Sequence, residues 1–245
     1  MARTLRLVHL FPELLNLYAD QGNLSVLSTR AKQRGIEVKI LPVKLGTKLD
    51  FDQADLVLLG GGSDREQAIV GKELLAYRQD LLSAIDLGLP ILAVCGGYQL
   101  LGEFYELPSG EKVPGLHLID MTTHAGKNRL IGNIAIEWNT NAQGAVRTLV
   151  GFENHGGRTM HDYPPLGKVV KGFGNNGTDQ KEGVQYKGIV GTYIHGPLLP
   201  KNPHLADHLI RNALRYRGYS DDLGDLDDRL EWEAHHSILN RMQIG

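Results

Sequence analysis

The sequence predicts an α/β protein built on a doubly wound, mostly parallel sheet with helices on both faces. Three observations carry that expectation. Through the first half of the chain, short apolar runs alternate with longer stretches of helical character, the pattern of successive βαβ units. Two of the runs, residues 54–59 and 89–94, are nearly all apolar, as strands buried on both faces should be. Each of these runs is followed by a glycine cluster, Gly60-Gly61-Gly62 and Gly96-Gly97, where a strand must turn sharply into a helix.

Taken in order, residues 5–11 read as the first strand. A helix over about 23–34 stops at Gly35, and residues 36–43 form the second strand. The third is 54–59. Ser63 then reads as an N-cap, because Glu66 stands three places on and completes a capping box. One long helix is expected from there to about Asp86. Residues 89–94 are the fourth strand, Cys95-Gly96-Gly97 a sharp turn, and 98–104 a further helix. The second half reads as strands at 130–138, 148–154, 168–173 and 183–193. Asn202 and Pro203 open a helix as N-cap and first helical residue, ending near Arg217. The acidic stretch 221–228 reads as a surface linker, and about 230–241 as a last helix. The division expected is one flavodoxin-like α/β domain over 1–218 and a peripheral, helical C-terminal extension over 219–245.

Composition narrows the function classes. The 245 residues suit one α/β domain better than two. A formal net charge of -2 gives no reason to expect nucleic acid as a partner. The single cysteine excludes an internal disulfide and fits a reducing compartment. No apolar run approaches the ~18 residues of a transmembrane helix, and the N-terminus does not read as a signal peptide. The expected location is the cytoplasm, with access to a lipid-linked substrate at the inner face of the membrane.

The chemistry concentrates at three strand ends. In P-I-L-A-V-C-G-G-Y-Q, Cys95 occupies the tip of a strand–turn–helix. A nucleophile there is exposed, the following glycine leaves room for a substrate carbonyl and offers an N–H, and the helix N-terminus favours the thiolate. A free cysteine is ordinarily a small core residue, but this turn favours the nucleophile. Gly60-Gly61-Gly62-Ser63-Asp64 supplies backbone N–H groups for the other half of an oxyanion hole. It is not a phosphate loop, because G-x-x-x-x-G-K-[ST] is absent. Third, Thr192-Tyr193-Ile194-His195-Gly196-Pro197 delivers a histidine to a strand end, where an imidazole accepts the thiol proton and later returns it to a leaving amine. His155, in F-E-N-H-G-G, is the rival base. His204 and His208, one helical turn apart beside Asp207, fit a metal pair less well than a solvated helix face. His235 and His236 lie in a polar tail and suggest no role.

In combination, G-G-G-S-D-R-E-Q, C-G-G-Y-Q, N-R-L-I-G, G-F-E-N-H-G-G-R-T, T-Y-I-H-G-P-L-L-P-K-N-P and the earlier N-L-Y-A-D-Q-G-N resemble class I glutamine amidotransferases. The branch is the one that includes cobyric acid synthase, and within it the glutamine amidotransferase subunits of lipid II isoglutaminyl synthases. The resemblance spans about residues 9–215, and the tail adds nothing to it. It implies a class I amidotransferase-like fold and a glutaminase subunit that passes ammonia to a Mur-ligase-like synthetase of the MurT type, as a heterodimer. That partner amidates the D-isoglutamate α-carboxyl of the lipid II stem peptide. ATP and Mg are expected on the partner, and no cofactor on this chain.

The resemblance matches Cys95 to the nucleophile, His195 to the base, and Gly62 and Gly96 to the oxyanion hole. It matches Arg129 to a glutamine-binding position, and Gln99, Asn154 and His155 to pocket-lining positions. Asp20, Asn23 and Glu153 are supporting positions near the crevice. One departure stands out. Many class I enzymes carry a glutamate two residues after the histidine, and here that residue is Pro197, followed by Leu198. The orienting carboxylate is then Glu153, Asp20 or a group on the partner, or a dyad suffices. The competing readings are an amidotransferase for a corrinoid or another acid, a stand-alone cysteine hydrolase of the same fold, and a non-catalytic binding subunit, against which the intact Cys95 and His195 argue.

Overall fold

The computed structural model describes residues 3–15, 20–138 and 147–244. The first half runs β1 (Thr4–Leu10), α1 (Asp20–Gln33), β2 (Glu37–Val43), β3 (Leu56–Leu59), α2 (Asp64–Leu75), α3 (Arg78–Asp86), β4 (Ile91–Val94) and α4 (Gly96–Leu100). The second half is β5 (Phe104–Glu106), β6 (Lys112–Pro114), β7 (Met121–Trp138), β8 (Arg147–His161), β9 (Gly167–Lys171), β10 (Lys181–Glu182), β11 (Val184–Tyr186), β12 (Ile189–Thr192), α5 (Pro203–Tyr216) and α6 (Arg229–Arg241).

The main sheet has the order β11-β12-β4-β3-β1-β2, and every pairing is parallel except β11 with β12. Counted along the chain, its parallel strands lie 2-1-3-4-5, the flavodoxin-like order. All eight residues of β3 and β4 are buried, because helices cover both faces. Val57, Leu59 and Ile91 point towards Leu74 of α2, Leu81 of α3 and Leu101. Leu56 and Leu58 point the other way, and there α5 packs on β3 and on α1. The register aligns Leu10 with Leu59, Leu59 with Ala93, and Val94 with Thr192. Phe11, Gly60, Cys95 and Tyr193 therefore leave the sheet at one edge.

A second, mainly antiparallel sheet, β10-β9-β7-β5-β6 with β8 on β7, leans on that edge. Its spine is the long β7–β8 ribbon, which bulges between Ala125 and Leu130. One bridge joins it to the first sheet, Phe152 with His195.

Several boundaries differ from the sequence expectation. The long helix after Ser63 is two helices, broken at Tyr77, whose side chain packs against the core. Arg78 then reaches the carbonyls of Leu116 and His117. The capping box itself is present, with both reciprocal bonds. The helix after Cys95 is one turn and not residues 98–104, because the 116–119 loop takes the carbonyls of Leu100 and Leu101. Residues 183–193 are a hairpin, not one strand, and β7 begins at Met121, not at 130. Asn202 stands before α5 but does not cap it with its side chain. The linker is strapped down: Arg30 of α1 pairs with both Asp207 and Asp228, and Arg34 donates to Asp207 and to Gly224 O.

Candidate active site

Cys95 sits at φ 52°, ψ −108°, outside the regions that L-residues favour. Such a conformation costs about 1–3 kcal/mol and persists where its surroundings fix it. Here Cys95 N donates to Thr192 O at 2.8 Å, and Gln99 N donates to Cys95 O at 3.1 Å. The thiol is buried at the start of α4. With a single turn, α4 offers mainly its first unpaired amides and not a long macrodipole.

The two glycine loops are in contact. A Cβ on Gly97 would lie 2.3 Å from Leu59 O and 2.7 Å from Gly60 O. A Cβ on Gly96 would lie 2.2 Å from Gln67 Nε2. Gln67 Nε2 in turn donates to Gly62 O at 2.9 Å. One buried amide side chain thus spans the space between the Cys95 turn and the Gly60–Gly62 loop, bonding the backbone of Gly62 and packing against Gly96.

A cavity of about 540 Å³ opens beside Cys95, walled by Gly62, Gln67, Gln99, Arg129, Asn154 and His155 among others. Arg129 projects from the β7 bulge. Asn154 holds its guanidinium, with Nε on Oδ1 and Nη2 on the main-chain O, each at 2.8 Å. Gln99 Nε2 donates to Tyr193 OH at 3.1 Å. That phenol also bonds Thr159 Oγ1 at 2.6 Å, which in turn bonds Thr123 Oγ1 at 2.8 Å. His155 stacks on Tyr193 at 3.6 Å, and its Nδ1 donates to Gly157 O at 2.9 Å. His155 is therefore locked into the wall.

His195 follows β12 by three residues, beside the strand end that carries Cys95. Its backbone exchanges both hydrogen bonds with Phe152, and the Phe152 ring meets the imidazole edge-on at 5.9 Å. Burial first, and then the neighbouring His155, Lys201 and Arg129 side chains, push the imidazole down to about 4. It is neutral at physiological pH, as a proton acceptor must be.

The supporting residues fall elsewhere. Glu153 does not face His195. Strand alternation turns it away from Phe152, and its carboxylate accepts from Phe173 N at 2.7 Å and Gly174 N at 3.0 Å. Its nearest imidazole is His155, 3.6 Å away. Asn23 accepts from Leu199 N at 2.9 Å and ties α1 to the turn after His195. Asn16–Ala19 and the Asp20 side chain lie outside the described residues. His204 and His208 are not on a solvated face: Trp232 stacks on His204 at 5.0 Å, and Trp138 packs against both histidines. Among the described residues, no cluster of three or more potential ligands is arranged to hold a metal ion.

Sequence reasoning missed three contributors: Gln67, Tyr193 and Glu182. Glu182 is buried under the strand that leads to His195. Its carboxylate accepts from Thr192 Oγ1 at 2.6 Å and Tyr193 N at 2.7 Å, and burial pushes it up to about 7. Gln67 and Tyr193 stood inside quoted motifs, but nothing in their spacing named a partner. A second groove of about 570 Å³, between Arg34 and Trp232, is lined by paired charges and carries no nucleophile.

Residues 6–203 match the family model described as a CobB/CobQ-like glutamine amidotransferase domain. The chain belongs to this family. The amidotransferase match covers the main sheet from Arg6 of β1 onward and the turns bearing Cys95 and His195. Among curated amidotransferase relatives, the "Lipid II isoglutaminyl synthase (glutamine-hydrolyzing) subunit GatD" of Staphylococcus aureus is 44% identical, over 97% of this chain and 96% of its own length. That alignment reaches into the C-terminal helix, which the sequence motifs did not. The protein of the same name from Streptococcus pneumoniae is 39% identical over 89% of this chain and 84% of its own. A cobyric acid synthase from Pelotomaculum thermopropionicum is 30% identical over 94% of this chain but only 45% of its own length. Of solved structures, a glutamine amidotransferase covering 84% of this chain and 98% of its own superposes with a TM-score of 0.56 at 14% identity, a likeness of fold. No helix among the described residues is long and apolar enough to cross a membrane.

Proposed function

We propose that this chain is the glutamine-hydrolysing subunit of a lipid II isoglutaminyl synthase. In this reading it passes ammonia to a Mur-ligase-like, ATP- and Mg-dependent partner of the MurT type, which amidates the D-isoglutamate α-carboxyl of the stem peptide. The observation that carries the reading is the strained Cys95 turn opening on a cavity walled by Arg129 and Gln99. The similarity to two subunits of that name, over 97% and 89% of this chain, supports the choice of acceptor.

In this mechanism neutral His195 accepts the Cys95 proton, and the thiolate attacks the side-chain carboxamide carbon of glutamine. The amides of Gly62 and Gly96 receive the oxyanion. As the tetrahedral species collapses, the C–N bond breaks. The imidazolium returns its proton to the leaving nitrogen, releasing ammonia and a thioester. Water, deprotonated by His195, attacks the thioester, and glutamate leaves with the thiol restored. Arg129, oriented by Asn154, binds the α-carboxylate of glutamine through its guanidinium. Glu153, one candidate for orienting His195, is engaged elsewhere. We assign the orienting carboxylate to the partner, the candidate that would couple hydrolysis to assembly.

The test measures ammonia and glutamate release by the isolated chain and by the chain with its co-purified synthetase. Cys95→Ala should abolish both while still binding the partner. Hydrolysis should rise at least about tenfold in the complex, and equal rates would remove the partner's carboxylate from the scheme. Robust cleavage of γ-glutamyl peptides by the isolated chain, with no synthetase recovered, would replace the whole reading with a stand-alone hydrolase.

A further inference from the structure

The C-terminal helix reaches the base through one side chain. Ile238 and Leu239 of α6, with Met242 at its C-cap, pack on Ala135 of β7 and Val150 of β8. His235, on the same helix, is buried at 1% exposure. Its Nδ1 lies 2.7 Å from Lys201 O, and its Nε2 lies 2.8 Å from Thr148 Oγ1. A carbonyl only accepts, so Nδ1 carries the proton and Nε2 accepts from the threonine. Both ring nitrogens of a neutral imidazole are thus satisfied. Lys201 then turns back on the site: its Nζ donates to Gly196 O at 2.8 Å and to Pro197 O at 3.1 Å. Those are the two carbonyls directly after His195, in the turn where the wider class carries its glutamate.

We propose that Lys201 is a positioning residue for His195, and that the C-terminal helix holds it there through His235. The ammonium fixes the backbone that aims the imidazole. As one of the cations near the ring, it also opposes protonation there, so the base waits in its neutral form. Among the described residues, the other groups acting on the imidazole are His155 and Phe152 from β8 and Arg129 from the β7 bulge, with Cys95 on the neighbouring strand end. The proposal rests on reading His195 as the base, but its first measurement does not depend on activity.

The experiment follows the His195 ring by ¹⁵N-histidine NMR across pH in the full chain, assigned with His195→Gln, alongside glutamine hydrolysis by the complex. Lys201→Met should raise the His195 titration midpoint by about half a unit or more. It should also cut kcat by about tenfold or more, with KM held within about twofold. Lys201→Arg should restore both. His235→Ala should lower kcat at unchanged KM. If Lys201→Met does not fold, the neutral Lys201→Gln carries the same expectation for the midpoint. An unmoved midpoint in a folded, uncharged variant overturns the proposal, even if no form hydrolyses glutamine. Wild-type kcat in His235→Ala overturns the role of the helix.

Discussion

At the scale of the residue, Cys95 is held where it is by what its neighbours lack. Gly96 and Gly97 share a dipeptide but face different obstacles. Beyond Gly97 lie two main-chain carbonyls, of Leu59 at the end of β3 and of Gly60 just after it, which cannot move aside. Beyond Gly96 lies the amide end of a side chain, Gln67, which can. The two alanine substitutions should therefore separate stability from chemistry. Gly97→Ala should cost about 3 kcal/mol or prevent folding, read as a fall in denaturant midpoint. Gly96→Ala should melt close to wild type yet lose glutamine hydrolysis and rapid iodoacetamide labelling of Cys95, because the displaced Gln67 releases Gly62. A Gly96→Ala variant with full activity would show that the Gln67 tether is dispensable.

At the scale of the element, the turn between β12 and α5 is built by side chains reaching in from outside it. Asn202 is the clearest case. In sequence it reads as a helix cap. In the fold its Oδ1 accepts from Val150 N at 2.9 Å, while its Nδ2 donates to Val150 O at 2.8 Å and Leu198 O at 2.7 Å. It acts as a strand partner for β8. A β-strand edge has unpaired amides and carbonyls, and a carboxamide offers the matching donor and acceptor. Asn202→Ala leaves three buried backbone groups without partners, at about 1–3 kcal/mol each before relaxation. We expect a loss of about 3 kcal/mol in urea unfolding, several times the cost of an exposed cap. A loss under about 1 kcal/mol would mean that water replaces the side chain.

At the scale of the whole molecule, buried histidines set the response to acid. Burial pushes His195 and His208 down to about 4 and His204 to about 3. Each folded-state value lies below the unfolded 6.5. The unfolded chain therefore binds more protons between those limits, and the stability they carry is present above pH 6.5 and lost as pH falls towards 4. Glu182 has the opposite sign: its folded value, about 7, is raised from 4.5, so its contribution fades as pH rises through 7. Three histidines outweigh one carboxyl on the acid side. Tm should peak near neutrality and fall by about 5 °C or more between pH 7 and pH 5. A Tm that holds or rises at pH 5 would mean these rings protonate without cost. The same packing accounts for the tail: Trp232 of α6 covers His204, and His235 of the same helix is buried against Thr148 and Lys201.

The sequence alone determined the parallel sheet, the glycine turns, the capping box at Ser63 and the identity of Cys95 and His195 as the reactive pair to propose. Those features are local: strand burial shows as an apolar run, and a strand-to-helix turn shows as glycine. The motif resemblance already pointed to the family that the comparisons show. What only the tertiary structure decided depends on distant segments meeting. The long helix broke at Tyr77 because Arg78 found carbonyls at Leu116 and His117. Glu153, adjacent in sequence to the residue that bridges His195, was turned away by strand alternation. The polar-looking tail with His235 became a buried brace because an apolar stripe three residues further on met Ala135 and Val150. Spacing records which residues share a face of one element, whereas the partner on another element is chosen only when the sheet edges and helices pack.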